Sequence, residues 1–197
     1  SVSFRGNFST QEKLKLNQWL SHVADAMTSV YGELPRDNIP ITLIPLRQAN
    51  QAVPYARVVR GETDSLSFYV NPRFPLNVFI DDWTAYHEIS HLMIPYPGDS
   101  GIWFSEGLAS YYQNLVMARA KIIPSQRAWE KLYAGFERGR KDTKMHHLNL
   151  AELSPNMWQS RSFMRVYWSG AYYFFAVDVA LRQRHQSLDR VLKSFRD

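Results

Sequence analysis

Tyr86-His87-Glu88-Ile89-Ser90-His91 reads H-E-x-x-H, and the rest of the chain can be placed around it. On an α-helix, positions four apart share a face, about one turn from each other. His87 and His91 can therefore aim two imidazole nitrogens at one metal ion. Glu88 projects beside that face, where a carboxylate can take a proton from a water the metal activates. A third ligand is needed. Glu106 is the candidate: fourteen residues separate it from His91, and Trp103-Phe104-Ser105-Glu106-Gly107-Leu108-Ala109 has a helical pattern of its own. Two His and one Glu, with a fourth position left to water, form a catalytic rather than a structural set for Zn2+, one ion per chain. The plain alternative is a pair of buried, hydrogen-bonded histidines. A credible carrier helix, the downstream Glu and a Tyr described below tell against it.

Composition sets the limits. At 197 residues the chain is one domain in size and long enough for a sizeable core. An apolar content of 45% and an aromatic content of 14% exclude a disordered polypeptide. The net charge is +5, with Lys and Arg scattered apart from Arg138-Gly139-Arg140-Lys141 and Lys144. That cluster reads as a solvated helix end. Basic residues interleaved with aromatics, which a nucleic-acid partner would need, are not seen. The absence of Cys excludes disulfides, thiolate ligands and Cys nucleophiles. A start at Ser1 without Met implies processing or trimming. With the lack of Cys, it favours an exported protein, periplasmic or secreted. The most apolar run, residues 170–177, is far too short to span a bilayer and reads as a buried helix.

Taken in order, Ser9-Thr10-Gln11-Glu12 is a capping-box pattern. Leu14, Leu16, Trp19, Leu20, Val23, Met27 and Val30 follow it as an amphipathic helix that stops at Gly32. His22 within it is a surface or core residue. Residues 41–46 form a β-prone run. Residues 55–60 and 65–70 flank Gly61-Glu62-Thr63-Asp64 as a hairpin. About three strands thus precede the metal helix, and residues 65–70 are the expected sheet edge, where an extended peptide could add by backbone hydrogen bonds. Asp81 or Asp82 caps the helix that carries Trp83, His87 and His91, and Pro95, Pro97 and Gly98 end it. A second helix runs from about 103 to 121. Pro124-Ser125 opens another through about 140, with Trp129, Leu132, Tyr133 and Phe136 at core spacing. His146-His147 lies in a polar segment, either a solvated loop or the lining of a substrate site. A connector with short turns, residues 148–158, leads to a long helix from about 162 to 184. Ser187 caps a short last one, residues 188–195.

These motifs resemble the gluzincin metallopeptidases, and most closely the glycyl aminopeptidase family and related zinc aminopeptidases. In that family the third ligand sits in an E-G motif after an aromatic residue, often followed by two Tyr. Glu106-Gly107-Leu108-Ala109-Ser110-Tyr111-Tyr112 has that form. The family also carries Y-x-K-G-A at the start of a long helix, and Tyr167-Trp168-Ser169-Gly170-Ala171 resembles it with Ser169 in place of Lys. Asp178-Val179-Ala180-Leu181-Arg182 and Ser187-Leu188-Asp189 look like its C-terminal helices. The likeness covers about residue 81 to the end; residues 1–80 resemble the family in pattern alone. A G-x-M-E-N or G-G-x-E-H segment, which in the family helps bind a free amino terminus, is not found before His87. Glu62 is the hairpin candidate to replace it, though it reads better as part of a surface turn.

The resemblance implies an α+β, thermolysin-like zincin catalytic domain over residues 1–197. Residues 1–80 would form a helix with a small sheet, and 81–197 a helical lobe with the metal site. It further implies hydrolysis of a peptide or protein substrate. Zinc would sit on His87, His91 and Glu106, with Glu88 as general base and Tyr167 donating to the oxyanion. Each metal His should donate its second N–H to an oxygen, for which Ser110 and Asp99 are candidates. Two other readings stay open: a metallopeptidase-like domain that binds zinc or peptide without turnover, and a structural protein whose H-E-x-x-H is accidental.

Overall fold

Ser9 behaves as its sequence context predicts. Its hydroxyl accepts from the Glu12 amide and the Glu12 carboxylate accepts from the Ser9 amide, so two of the first-turn N–H groups that have no helical partner are satisfied at once. Helix α1, Thr10–Tyr31, follows, and Gly32 ends it at φ 83°, a conformation that costs glycine no Cβ clash. The computed structural model describes residues 1–195. Within them four strands, β1 (Val2–Phe4), β2 (Ile41–Pro45), β3 (Tyr55–Val59) and β4 (Ser65–Val70), form one sheet in the order β1-β2-β4-β3. The first three in that order run parallel and β3 pairs antiparallel with β4.

Leu16, Trp19, Leu20, Val23, Met27 and Val30 form the buried stripe of α1. They meet Leu66, Phe68 and Val70, which alternate inward along β4. Trp19 lies edge-on to Phe68 at 5.5 Å and tilted against Phe79 at 5.1 Å. Each such fully buried side chain contributes about 1.5–3 kcal/mol of transfer free energy. Leu14 does not join them. It is 61% exposed, because two positions from Leu16 is about half a turn round the helix.

Two sequence expectations fail in the sheet. The strand 65–70 is interior, since β2 pairs along one of its sides and β3 along the other; the edges are β1 and β3. β1 was not anticipated. Its three residues carry almost no periodicity, and it is made a strand by parallel pairing with β2, Val2 opposite Ile41. The predicted hairpin is present, with Val59 opposite Ser65.

Helices make up most of the rest: α2 (Leu76–Asp81), α3 (Thr84–Ser90), α4 (Ile102–Arg119), α5 (Ser125–Lys141), α6 (Leu150–Leu153), α7 (Met157–Ser160), α8 (Phe163–Arg182) and α9 (Leu188–Lys193). The architecture is α+β. α2 falls where no element was expected. On α5 the predicted core face is only half right: Leu132 is buried, but Trp129 and Tyr133 are 52% and 68% exposed. The buried side of α5 is instead Ala128, Leu132, Gly135 and Gly139, because Trp168 of α8 fills the space above the glycines. A Cβ on Gly135 would lie 2.1 Å from the Trp168 ring.

α4 and α8 approach more closely still. A Cβ on Gly107 would stand 2.4 Å from the carbonyl carbon of Gly170, and one on Gly170 would stand 2.3 Å from the Trp103 carbonyl oxygen. The two helices therefore touch backbone to backbone. No membrane-spanning helix, long and apolar enough to cross a bilayer, occurs among the described residues.

Candidate metal centre and cleft

The H-E-x-x-H segment is shorter as a helix than its pattern suggests. α3 ends at Ser90, and His91 opens a 3₁₀ turn, His91–Met93, with φ −60° and ψ −20°. Those angles continue the helical path, so the two imidazoles still share a face, with ring centroids 4.8 Å apart. Asp82 steadies the start of α3 by accepting from the Thr84 amide at 2.8 Å. The fully buried Tyr86 pins α3 to α2 through its hydroxyl, which donates to the Ile80 carbonyl at 2.9 Å.

Glu106 reaches both rings from the second turn of α4. One carboxylate oxygen, Oε2, lies 3.1 Å from His87 Nε2 and 3.5 Å from His91 Nε2. Glu88 also stands in the group: His87, Glu88 and His91 each present a ligand atom within 4.8 Å of the others. Glu106 is the closer carboxylate to both Nε2 atoms, while Glu88 is half-buried at the mouth of the cleft.

The far nitrogens are held as well. His87 Nδ1 lies 2.8 Å from Gln113 Oε1, and His91 Nδ1 lies 2.9 Å from Ser105 Oγ. With Nδ1–H donated to those oxygens, each Nε2 turns its lone pair toward the Glu106 carboxylate. Lone pairs facing a carboxylate at this range need a cation between them, either protons on the rings or a metal ion. Two imidazoles, each with its Nδ1 bonded, and one carboxylate are a donor set suited to a metal ion such as zinc. Ser110 and Asp99 do not orient the rings as expected. Ser110 gives its carbonyl to the Asn114 side chain, and Asp99 accepts from the Tyr96 hydroxyl at 3.0 Å. Gln113 could have been found from its spacing, since it follows Glu106 by two helical turns on one face of α4. Ser105 has no such signal.

The electrostatics follow from burial and charge. Burial alone would raise the Glu106 carboxyl, but the neighbouring His91 and hydrogen bonds from both rings outweigh it and hold the group well below the usual carboxylate range. For His87 burial acts downward. The hydrogen bond and charge of Glu106, with Glu88 behind it, overcome this and raise the imidazole. Burial also pushes the Tyr167 hydroxyl well up, aided by the charges of Glu106 and Glu88. Tyr167 stacks near His87, ring centroids 6.3 Å apart. The glycine contact explains its position: Tyr167 lies one turn before Gly170 and Glu106 lies next to Gly107.

His87, Glu88, His91, Glu106 and Tyr167, all singled out in the sequence, thus line one cleft of about 400 Å³. Its walls include strand β3, Tyr96 and Trp158. His146 and His147 are exposed and meet edge to face, ring centroids 5.9 Å apart, and neither lines the cleft. Glu62 is exposed in the hairpin turn and lines no part of the cleft. The two Tyr after the E-G motif serve packing: Tyr111 donates to Asp178 at 3.0 Å and Tyr112 to Asp189 at 2.7 Å, tying α8 and α9 to α4.

Residues 97–173 match the profile of the M61 glycyl aminopeptidase family. The matched span holds Glu106 and Tyr167 and leaves His87 and His91 outside it. The fold is similar to the crystal structure of an aminopeptidase N family protein from Idiomarina loihiensis, with a TM-score of 0.66 at 16% identity. That match covers 99% of this chain, residues 1–80 included, and the chain spans 38% of the other protein's length. No curated protein matches. The resemblance carried by the E-G and Tyr167 motifs is thereby found again by the family profile over residues 97–173, and the structural match shows a shared fold.

Proposed function

We propose that residues 1–197 form the catalytic domain of a zinc-dependent peptidase, thermolysin-like at its metal site, that hydrolyses peptide bonds. The observation that carries this is the Glu106 carboxylate set against both Nε2 atoms, 3.1 and 3.5 Å away, while Gln113 and Ser105 hold the Nδ1 atoms. His87, His91 and Glu106 would hold the ion. When bound, zinc supplies Lewis-acid polarisation of a carbonyl and acidifies a water toward a pKa of about 7.

The chain's own residues do the rest. Glu88 takes the proton of the attacking water and passes it to the leaving amine. Tyr167 donates its hydroxyl hydrogen bond to the carbonyl oxygen as negative charge builds there, and its raised pKa keeps it a donor at neutral pH. The outer edge of β3 borders the cleft, and an extended peptide can pair with it through backbone hydrogen bonds.

The test is digestion of a mixed peptide library, read by mass spectrometry, with Glu88→Gln protein beside the wild type. Wild-type cuts that vanish in Glu88→Gln, with zinc content unchanged, are the expected result. An active Glu88→Gln protein removes Glu88 as the base. Stoichiometric zinc with no cuts would make this a binding domain instead. The position of the cuts, internal or one residue from the amino end, separates an endopeptidase from an aminopeptidase.

A further inference from the structure

A second cavity, of about 490 Å³, lies beyond Tyr167 and takes no part in the reading above. It shares Trp83, His87 and Tyr167 with the cleft, so the two hollows adjoin at the centre. α5 forms one wall. Arg127, Lys131, Ala134 and Arg138 all line it and fall at helical spacing on one face. Ala134 leaves the middle of that face open. Met164 and Trp168 of α8 supply an apolar floor.

The charges on this wall do not cancel. Arg127 is paired with Glu130 at 3.2 Å. Among the described residues, Lys131 and Arg138 have no ion-pair partner. Asp82 feels the charge of Lys131 but makes no ion pair with it, and accepts from the Thr84 amide. Arg138 lies over the Trp168 ring, 4.8 Å from its centroid, which fixes the plane of its guanidinium while leaving its edge free. A fixed guanidinium edge and a mobile ammonium beside an apolar floor match a carboxylate borne on a short aliphatic stem.

We infer that this cavity binds a carboxylate of the substrate through Lys131 and Arg138, from an acidic side chain or from the end of the peptide. The inference rests on the peptidase reading, which is what lays a peptide across the centre. The basic cluster at the end of α5 thereby divides in two. Arg140 pairs outward with Glu137 at 2.8 Å, and Arg138 turns into the cavity.

The test is a binding measurement on zinc-loaded Glu88→Gln protein, so that no probe is consumed. The probes are fluorescein-labelled alanine hexapeptides carrying one Glu or one Gln at each position in turn, as the free acid or the amide, read by fluorescence anisotropy. At one position Glu should bind about tenfold tighter than Gln, a difference of about 1.4 kcal/mol. If free acid over amide carries the difference instead, the chain end is the source. Lys131→Glu should remove the preference. Arg138→Gln is the second variant, to be compared by thermal melting because Arg138 packs on Trp168. Equal affinities for all probes, or no saturable binding, overturn the inference. So does a preference that survives both variants, which would place the selecting charge on Arg57 across the centre. Cleavage is scored separately with wild-type protein. Selective binding without cuts counts against the peptidase reading alone; cuts with no acidic preference count against the cavity alone.

Discussion

Helix α8 meets its two neighbours on opposite terms. Where it crosses α4 most closely it has no side chain between, because Gly170 lies on Gly107. Against α5 it has the largest side chain available, with Trp168 filling the hollow above Gly135 and Gly139. The first contact is made of backbone atoms and cannot yield. The second is made by a buried ring over two glycines, a side chain that a substitution can trim. The rigid contact is the one that sets how far Tyr167 stands from Glu106, and the yielding one floors the second cavity. Precision is built from backbone where the centre needs it, and from side chains where only volume has to be filled.

The largest effect tests what the rigid contact is for. Tyr167→Phe should lower kcat by about 10²–10³, or about 3 kcal/mol, with KM little changed, as for loss of one oxyanion donor. If steady-state kinetics show neither parameter moved, Tyr167 is a packing residue and the comparison loses its functional side. Next, Gly107→Ala drives a methyl into the Gly170 backbone and should cost about 2–3 kcal/mol, seen as a fall in melting temperature of several degrees. The same variant should lose kcat as Tyr167→Phe does, and trimming a neighbouring side chain should not restore it.

Gly135→Ala should behave differently. Its Cβ would meet the Trp168 ring, so the cost should be about 1 kcal/mol, and Trp168→Leu in the same chain should recover most of it. Additive losses in the double variant would mean the α5 contact is as unyielding as the other.

The smallest effect lies away from α8 and serves as the baseline. Arg47 hydrogen-bonded to Glu12 holds that carboxyl at about 2, against an ordinary 4.5. A carboxyl depressed in the folded state stabilises above its unfolded pKa. Its contribution is therefore present above about pH 4.5 and lost as the pH falls toward 2. For a pair this near the surface the whole amount is about 1 kcal/mol or less. Glu12→Gln should remove that part of the acid sensitivity in denaturation curves and leave the centre untouched.

Much of this was legible in the sequence, for physical reasons. The α1 boundaries were written in Ser9, Glu12 and Gly32 because capping is local chemistry. The centre was legible because two ligands four apart need only one helix, and a third soon after needs only one turn. What escaped depended on distant partners. β1 exists because β2 lies beside it, and β4 is interior because β2 arrives from the far side. Trp129 and Tyr133 kept a core spacing yet face solvent, since the α5 side opposite Trp168 had to be small. Ser105 escaped because a hydrogen bond to a ring nitrogen leaves no periodic trace, whereas Gln113, two turns after Glu106, had a spacing that went unread. Gly107 and Gly170 were visible as letters of two motifs, but nothing in either motif says that they touch each other.

The sheet order has a consequence in time. β3 and β4 close across one short turn, whereas β1 can join β2 only once the whole of α1 has been laid between them. By the logarithmic cost of loop closure, the longer connection is dearer by about 1.7 kcal/mol. The hairpin that borders the cleft is thus expected to assemble among the first pieces of the sheet and the amino-terminal strand among the last. A full-length chain refolding from the unfolded state would carry the wall of its cleft well before its sheet was complete.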